Sequence, residues 1–81
     1  MSLWWLVYKQ DDRVLGIVIV EAAALISARM TVTLAGLNTE ATFAEGHELD
    51  AKSAARIPKR NIGRMISPKD ARRLLDRIAR K

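Results

Sequence analysis

The chain has 81 residues and no cysteine; 49% of its side chains are apolar and 28% charged, and its formal charge is +5 at pH 7. This is too hydrophobic a composition for intrinsic disorder, and a single domain of this length buries about 60 to 65% of its unfolded surface, so its core is small. The lack of cysteine removes disulfides, thiolate metal sites and cysteine nucleophiles together, and suits a reducing compartment.

The start, MSLWWLVYKQDD, has no basic stretch before its apolar run and no small-residue cleavage site after it, so no secretory signal and a cytoplasmic address are expected. LWWLVYK (3–9) and VLGIVIVE (14–21) are rich in aromatic and β-branched residues and flank the polar QDDR, which predicts an antiparallel hairpin. Alternation sends Trp4, Leu6 and Tyr8 to one face and Leu3, Trp5 and Val7 to the other, and the second run is apolar on both faces as well. Such a hairpin needs helices over both faces or an oligomer interface on one. Trp4 and Trp5 are accordingly either core residues or points of self-association.

AAALISARMTVTLAGLN (22–38) reads as a helix that begins on the alanine run and stops at Gly36, with Leu37 placed to fold back on the last turn. MTVTL (30–34) also alternates, so a shorter helix followed by a strand is the competing reading. TEATFAE (39–45) predicts a third strand with Phe43 inward and Gly46 as its stop. A right-handed crossover lays this strand beside the first, antiparallel to it, in the order 2-1-3.

Asp50 reads as the N-cap of a short helix over 51–56 that must stop near Ile57, because Pro58 restricts the residue before it, and PKRNIGRMI as a loop or irregular turn. The final helix, 68–80, has Ser67 as N-cap, Pro68 at its first position and Asp70 three residues after the cap. On it Ala71, Leu74, Leu75, Ile78 and Ala79 share one arc and every charge lies on the other. The fold class is α+β in a single domain: an acidic ββαβ part (1–50) and a basic helical part (51–81). The apolar tract over 14–37 is interrupted by Glu21 and Arg29, short of the ~20 uncharged residues of a membrane helix, so no membrane span is expected.

Charge is unevenly placed. Residues 1–50 carry three basic and seven acidic side chains, and residues 51–81 carry eleven basic and two acidic. Part of the basic excess is ordinary helix chemistry, since Arg77, Arg80 and Lys81 sit where positive charge complements the helix dipole. Lys52, Arg56, Lys59, Arg60 and Arg64 lie before that helix and are expected to owe nothing to its dipole. Lys59, Arg60 and Arg64 together with Arg72, Arg73, Arg77 and Arg80 therefore form a candidate surface for nucleic-acid phosphate. All four aromatic residues lie upstream, so base stacking on this surface is not expected, and no helix-turn-helix spacing is present.

His47, in EGHELD, is the only histidine; Ala51 stands where a metalloprotease helix needs its second histidine, so His47 is read as part of a polar turn. The glycines are dispersed and form no phosphate-cradling fingerprint, and Ser27, Ser53 and Ser67 have no histidine suitably placed. No catalytic residue, cofactor site, metal site or small-molecule substrate is expected. The leading functional expectation is a non-enzymatic interaction module that binds a protein partner or itself, as a homodimer through the hairpin; the alternative is nucleic-acid binding through the basic surface.

Overall fold

A computed structural model describes residues 1–37 and 41–79. Strands β1 (Ser2–Gln10) and β2 (Arg13–Ala22) form the expected hairpin, followed by α1 (Leu25–Leu34) and β3 (Thr42–Glu48). A short helix α2 (Ala51–Ala54), a 3-10 turn (Lys59–Asn61), strand β4 (Met65–Ile66) and helix α3 (Pro68–Ala79) complete the α+β chain. The sheet has the order β3-β1-β2-β4 with its strands paired antiparallel, so β3 lies beside β1 in the expected order 2-1-3.

The hairpin turns on Asp11 (φ 50°) and Asp12 (φ 66°), both left-handed, the pair of conformations that matches the twist of the flanking strands. Aspartate tolerates this region better than most residues because its short side chain can hydrogen-bond locally. Opposite Tyr8 both neighbours of β1 slip by one residue: Leu15 is extra on β2 and Ala44 is extra on β3.

Helices cover both faces of the hairpin. Trp5, Ile17 and Ile19 pack with Ile57, Ile66, Ala71 and Leu74 under α3, while Leu6, Tyr8, Val18, Val20 and Ala22 pack with Ala28 and Val32 of α1. The doubly apolar strands thus belong to a sheet enclosed between two helical layers. Trp5 is 6% exposed and lies in the α3-side core. Trp4 is half-buried on the α1 side, where its indole N–H donates to the Ala22 carbonyl oxygen at 3.0 Å.

Several boundaries depart from expectation. β2 runs on through Ala22, which pairs with Ser2, so the alanine run does not start the helix, and α1 begins at Leu25 after an uncapped Ala24. Sheet pairing overrides alanine's helix propensity there. MTVTL is helical to Leu34: the hydroxyls of Thr31 and Thr33 donate to the carbonyl oxygens of Ser27 and Arg29, one turn back. Gly36 ends the helix as expected, at φ 70°; its N–H donates to Thr33 and that of Leu37 to Val32, with Leu37 packed on the α1-side core.

The third strand begins later than expected and runs through Gly46 to Glu48; residues 38–40 of the expected segments lie outside the described residues. Gly46 does not stop the strand. It pairs with Leu6, and a Cβ there would press on the side chains of Leu25 and Leu6, so glycine lets α1 seat on the sheet. Asp50 caps α2 as expected, accepting from the Ser53 N–H at 2.7 Å, and Ser67 caps α3, accepting from the Asp70 N–H at 3.2 Å. α2 itself is a single turn, shorter than the expected 51–56. The expected loop after Pro58 contains β4, which pairs Ile66 with Ile17 and Met65 with Val18. Of the expected apolar arc of α3, Ala71 and Leu74 are buried and Ile78 half-buried, whereas Leu75 is 51% exposed and Ala79 is exposed.

Candidate phosphate-binding cleft

The segment between α2 and α3 is held to the sheet by apolar anchors. Ile57 and Ile66 are buried, Ile62 packs on the same core, and the Gly63 N–H donates to the Ile19 carbonyl oxygen at 2.8 Å. Gly63 takes φ 82°, which reverses the chain after the 3-10 turn. With the isoleucines turned inward, Arg60 and Arg64 project away from the core beside α3.

Helix α3 supplies the opposite wall. Its buried Ala71 and Leu74 fix its rotation, and this leaves Arg73 and Arg77, four residues apart, on the flank facing the 58–64 segment. Arg60, Asn61, Arg64, Asp70, Arg73 and Arg77 line one cleft of about 350 Å³, floored by Pro58 and Leu74. The lining carries four guanidiniums and one carboxylate. Among the described residues none of these four arginines makes an ion pair. Each is a planar fork of donors suited to phosphate oxygens.

The fold therefore brings together Arg60, Arg64, Arg73 and Arg77 of the seven basic residues singled out in the sequence. Lys59 and Arg72 are exposed but do not line the cleft, and Arg80 lies outside the described residues. No aromatic side chain lines it.

Arg56 requires a correction. Far from owing nothing to the dipole of the last helix, its Nη1 donates to the carbonyl oxygens of Arg77 and Ile78, each at 3.4 Å. It caps the C-terminal end of α3, where positive charge is favoured. Sequence separation conceals this pairing between residues more than twenty positions apart.

His47 is also placed differently from expectation, within β3 opposite Trp5 and not in a turn. Its Nε2 lies 3.6 Å from Glu45 Oε1, and both side chains are about 60% exposed. No group of three or more metal-ligating side chains occurs among the described residues, and no described helix is long and apolar enough to cross a membrane.

A second surface is not evident from the sequence. α1 buries Ala28 and Val32, and Ile26, Met30 and Leu34 point outward, 70%, 58% and 84% exposed. The i, i+4, i+8 spacing of these three residues is the available signal, masked because the helix carries two apolar stripes on opposite sides.

No family model matches this chain, and neither curated proteins nor solved structures provide a match.

Proposed function

We propose that this chain is a small non-enzymatic binding module whose ligand is the phosphate backbone of a nucleic acid, held in the cleft between the 58–64 segment and α3. The observation that carries this reading is the convergence of Arg60, Arg64, Arg73 and Arg77 on one cleft with only Asp70 opposing them. Four mutually repelling cations around one cleft gain from an anion that neutralises them, and releasing the anion's counterions adds to affinity. With no aromatic platform in the lining, binding is to phosphate and independent of base sequence. The cytoplasm, where nucleic acid is accessible and a fold needs no disulfides, is the compartment in keeping with this role.

The test is a fluorescence-anisotropy titration of labelled duplex DNA and single-stranded RNA, at low salt and at ~0.15 M, where the Debye length is about 8 Å. Binding at both, with log affinity falling linearly in log salt, is expected. The double variant Arg73→Ala/Arg77→Ala weakens binding at least tenfold and reduces the salt slope by about 1 for each phosphate that is no longer neutralised. Arg13→Ala, at the far hairpin tip, leaves it unchanged. Absence of binding at low salt, equal binding by the double variant, or equal affinity for polyglutamate, an anion without phosphate, would each overturn the reading.

A further inference from the structure

We infer that the outer face of α1 is a self-association surface, on which a second copy of this chain packs its own α1 about a two-fold axis through Met30. Ile26 and Leu34 lie four residues to either side of Met30, so an antiparallel pairing sets Ile26 against the partner's Leu34, Met30 against its twin and Leu34 against the partner's Ile26. The stripe is self-complementary. It lies nearly opposite the buried Ala28 and Val32, since a two-residue step turns a helix by about 200°.

The polar groups on the Phe43 side of this stripe are already engaged, which lowers the cost of covering it there. The Thr33 hydroxyl donates to the Arg29 carbonyl oxygen at 3.1 Å, and the Arg29 guanidinium sits 4.2 Å from the centroid of the Phe43 ring. No acidic side chain occurs in α1. Covering the face therefore leaves the Thr33 hydroxyl paired and the Arg29 charge on its ring, a smaller desolvation cost than free polar groups would carry.

Charge placement favours a second copy over a lipid surface. The cationic cleft belongs to the α3 layer, across the sheet from α1. An anionic membrane would meet α1 with Arg29 alone, already held on Phe43, whereas basic residues on the polar flank are what such binding uses. In a pair of copies the same arrangement directs the two cationic clefts outward, separated by two sheets and two helices, well beyond a Debye length of about 8 Å.

Area sets the strength. The stripe exposes on the order of 400 Å² of apolar surface, within the range of functional patches on small proteins. Two copies bury about 800 Å² in total, below the ~1,200 Å² of stable complexes, so the dimer is a weak, transient one.

Sedimentation velocity from about 10 μM to about 1 mM tests this. The weight-average mass is expected to climb from 9.1 kDa towards twice that value, and Met30→Arg is expected to hold it at 9.1 kDa with an unchanged circular-dichroism spectrum. Because the chain has no cysteine, Met30→Cys supplies a single thiol, which under mild oxidation forms a disulfide dimer faster than the thiol of Leu34→Cys. Positions at the axis approach each other, while those four residues away lie about 12 Å apart along the helix pair, too far to bridge. A monomer throughout the concentration range, a dimer indifferent to Met30→Arg, equal cross-linking at both positions, or a monomer that binds anionic vesicles through α1 would overturn the proposal.

Discussion

The guanidinium of Arg56 donates to the carbonyl oxygen of Ile78 at 3.4 Å, fastening the turn after α2 to the end of α3. It thereby separates structural from ligand-directed arginines in the basic region. Arg56→Ala is expected to cost about 0.5 to 1 kcal/mol of stability, the worth of a cation at a helix C-terminus, and to leave DNA affinity within twofold. Urea denaturation and the anisotropy titration measure the two effects separately.

Asp70 is the only carboxylate in the lining of the arginine cleft, and its backbone N–H is held by the Ser67 cap. Asp70→Asn keeps that N–H and removes the opposing charge. DNA binding is expected to tighten about fivefold, equivalent to about 1 kcal/mol for one charge near a surface, while α3 loses about 0.5 kcal/mol of dipole stabilisation. Tighter binding by a less stable protein is the diagnostic combination.

Gly16 and Gly36 are constrained in opposite ways. A Cβ on Gly16 would run into the Ile66 carbonyl oxygen, a backbone atom that cannot move unless β4 leaves β2. Gly16→Ala is therefore expected to cost about 3 kcal/mol. Gly36 has open space around it but sits at φ 70°, so Gly36→Ala costs about 1 kcal/mol and Gly36→Asn less. Chemical denaturation of the three variants should rank them in that order.

Tyr8, the chain's one tyrosine, is 1% exposed and packs edge-on to Phe43, with ring centroids 5.9 Å apart. Burial pushes its phenol above the ordinary tyrosine value, against a smaller opposing pull from the Arg29 charge. The folded state thus holds the phenolic proton more tightly than the unfolded state. The resulting stability is complete below the ordinary tyrosine value and is lost as pH rises through the raised one. Phenolate absorbance should appear together with alkaline unfolding, and Tyr8→Phe should flatten the loss of stability above pH ~10.

Much of the architecture is legible in the residues because local chemistry and burial agree there. Apolar residues on both faces of 3–9 and 14–21 call for cover on both sides of the hairpin, by helices or by another copy on one face, and Gly36, Asp50 and Ser67 mark helix ends that the hydrogen bonds reproduce. Where tertiary contacts outweigh local preference, sequence reading fails. Ala22 stays in β2 because Ser2 and the Trp4 indole engage it, Gly46 stays in β3 because Leu6 and Leu25 need its bare backbone, and β4 is too short to show a period. The basic excess of the second half is visible at once. Which arginines share a cleft depends on Ile57, Ile62 and Ile66 anchoring one wall and Leu74 the other, a relation that no local pattern encodes.

The paired register slips opposite Tyr8 bear on how readily the borders of the sheet could pair with another strand. An outer strand with regular spacing offers an unfilled row of amides and carbonyls that can recruit another strand. β3 is broken by its extra residue at Ala44 and carries Glu45, His47 and Glu48 beyond it, while at the opposite border β4 has only two residues. Neither border presents a long flat template. Copies of this chain can meet through helices without their sheets merging into a continuous fibre.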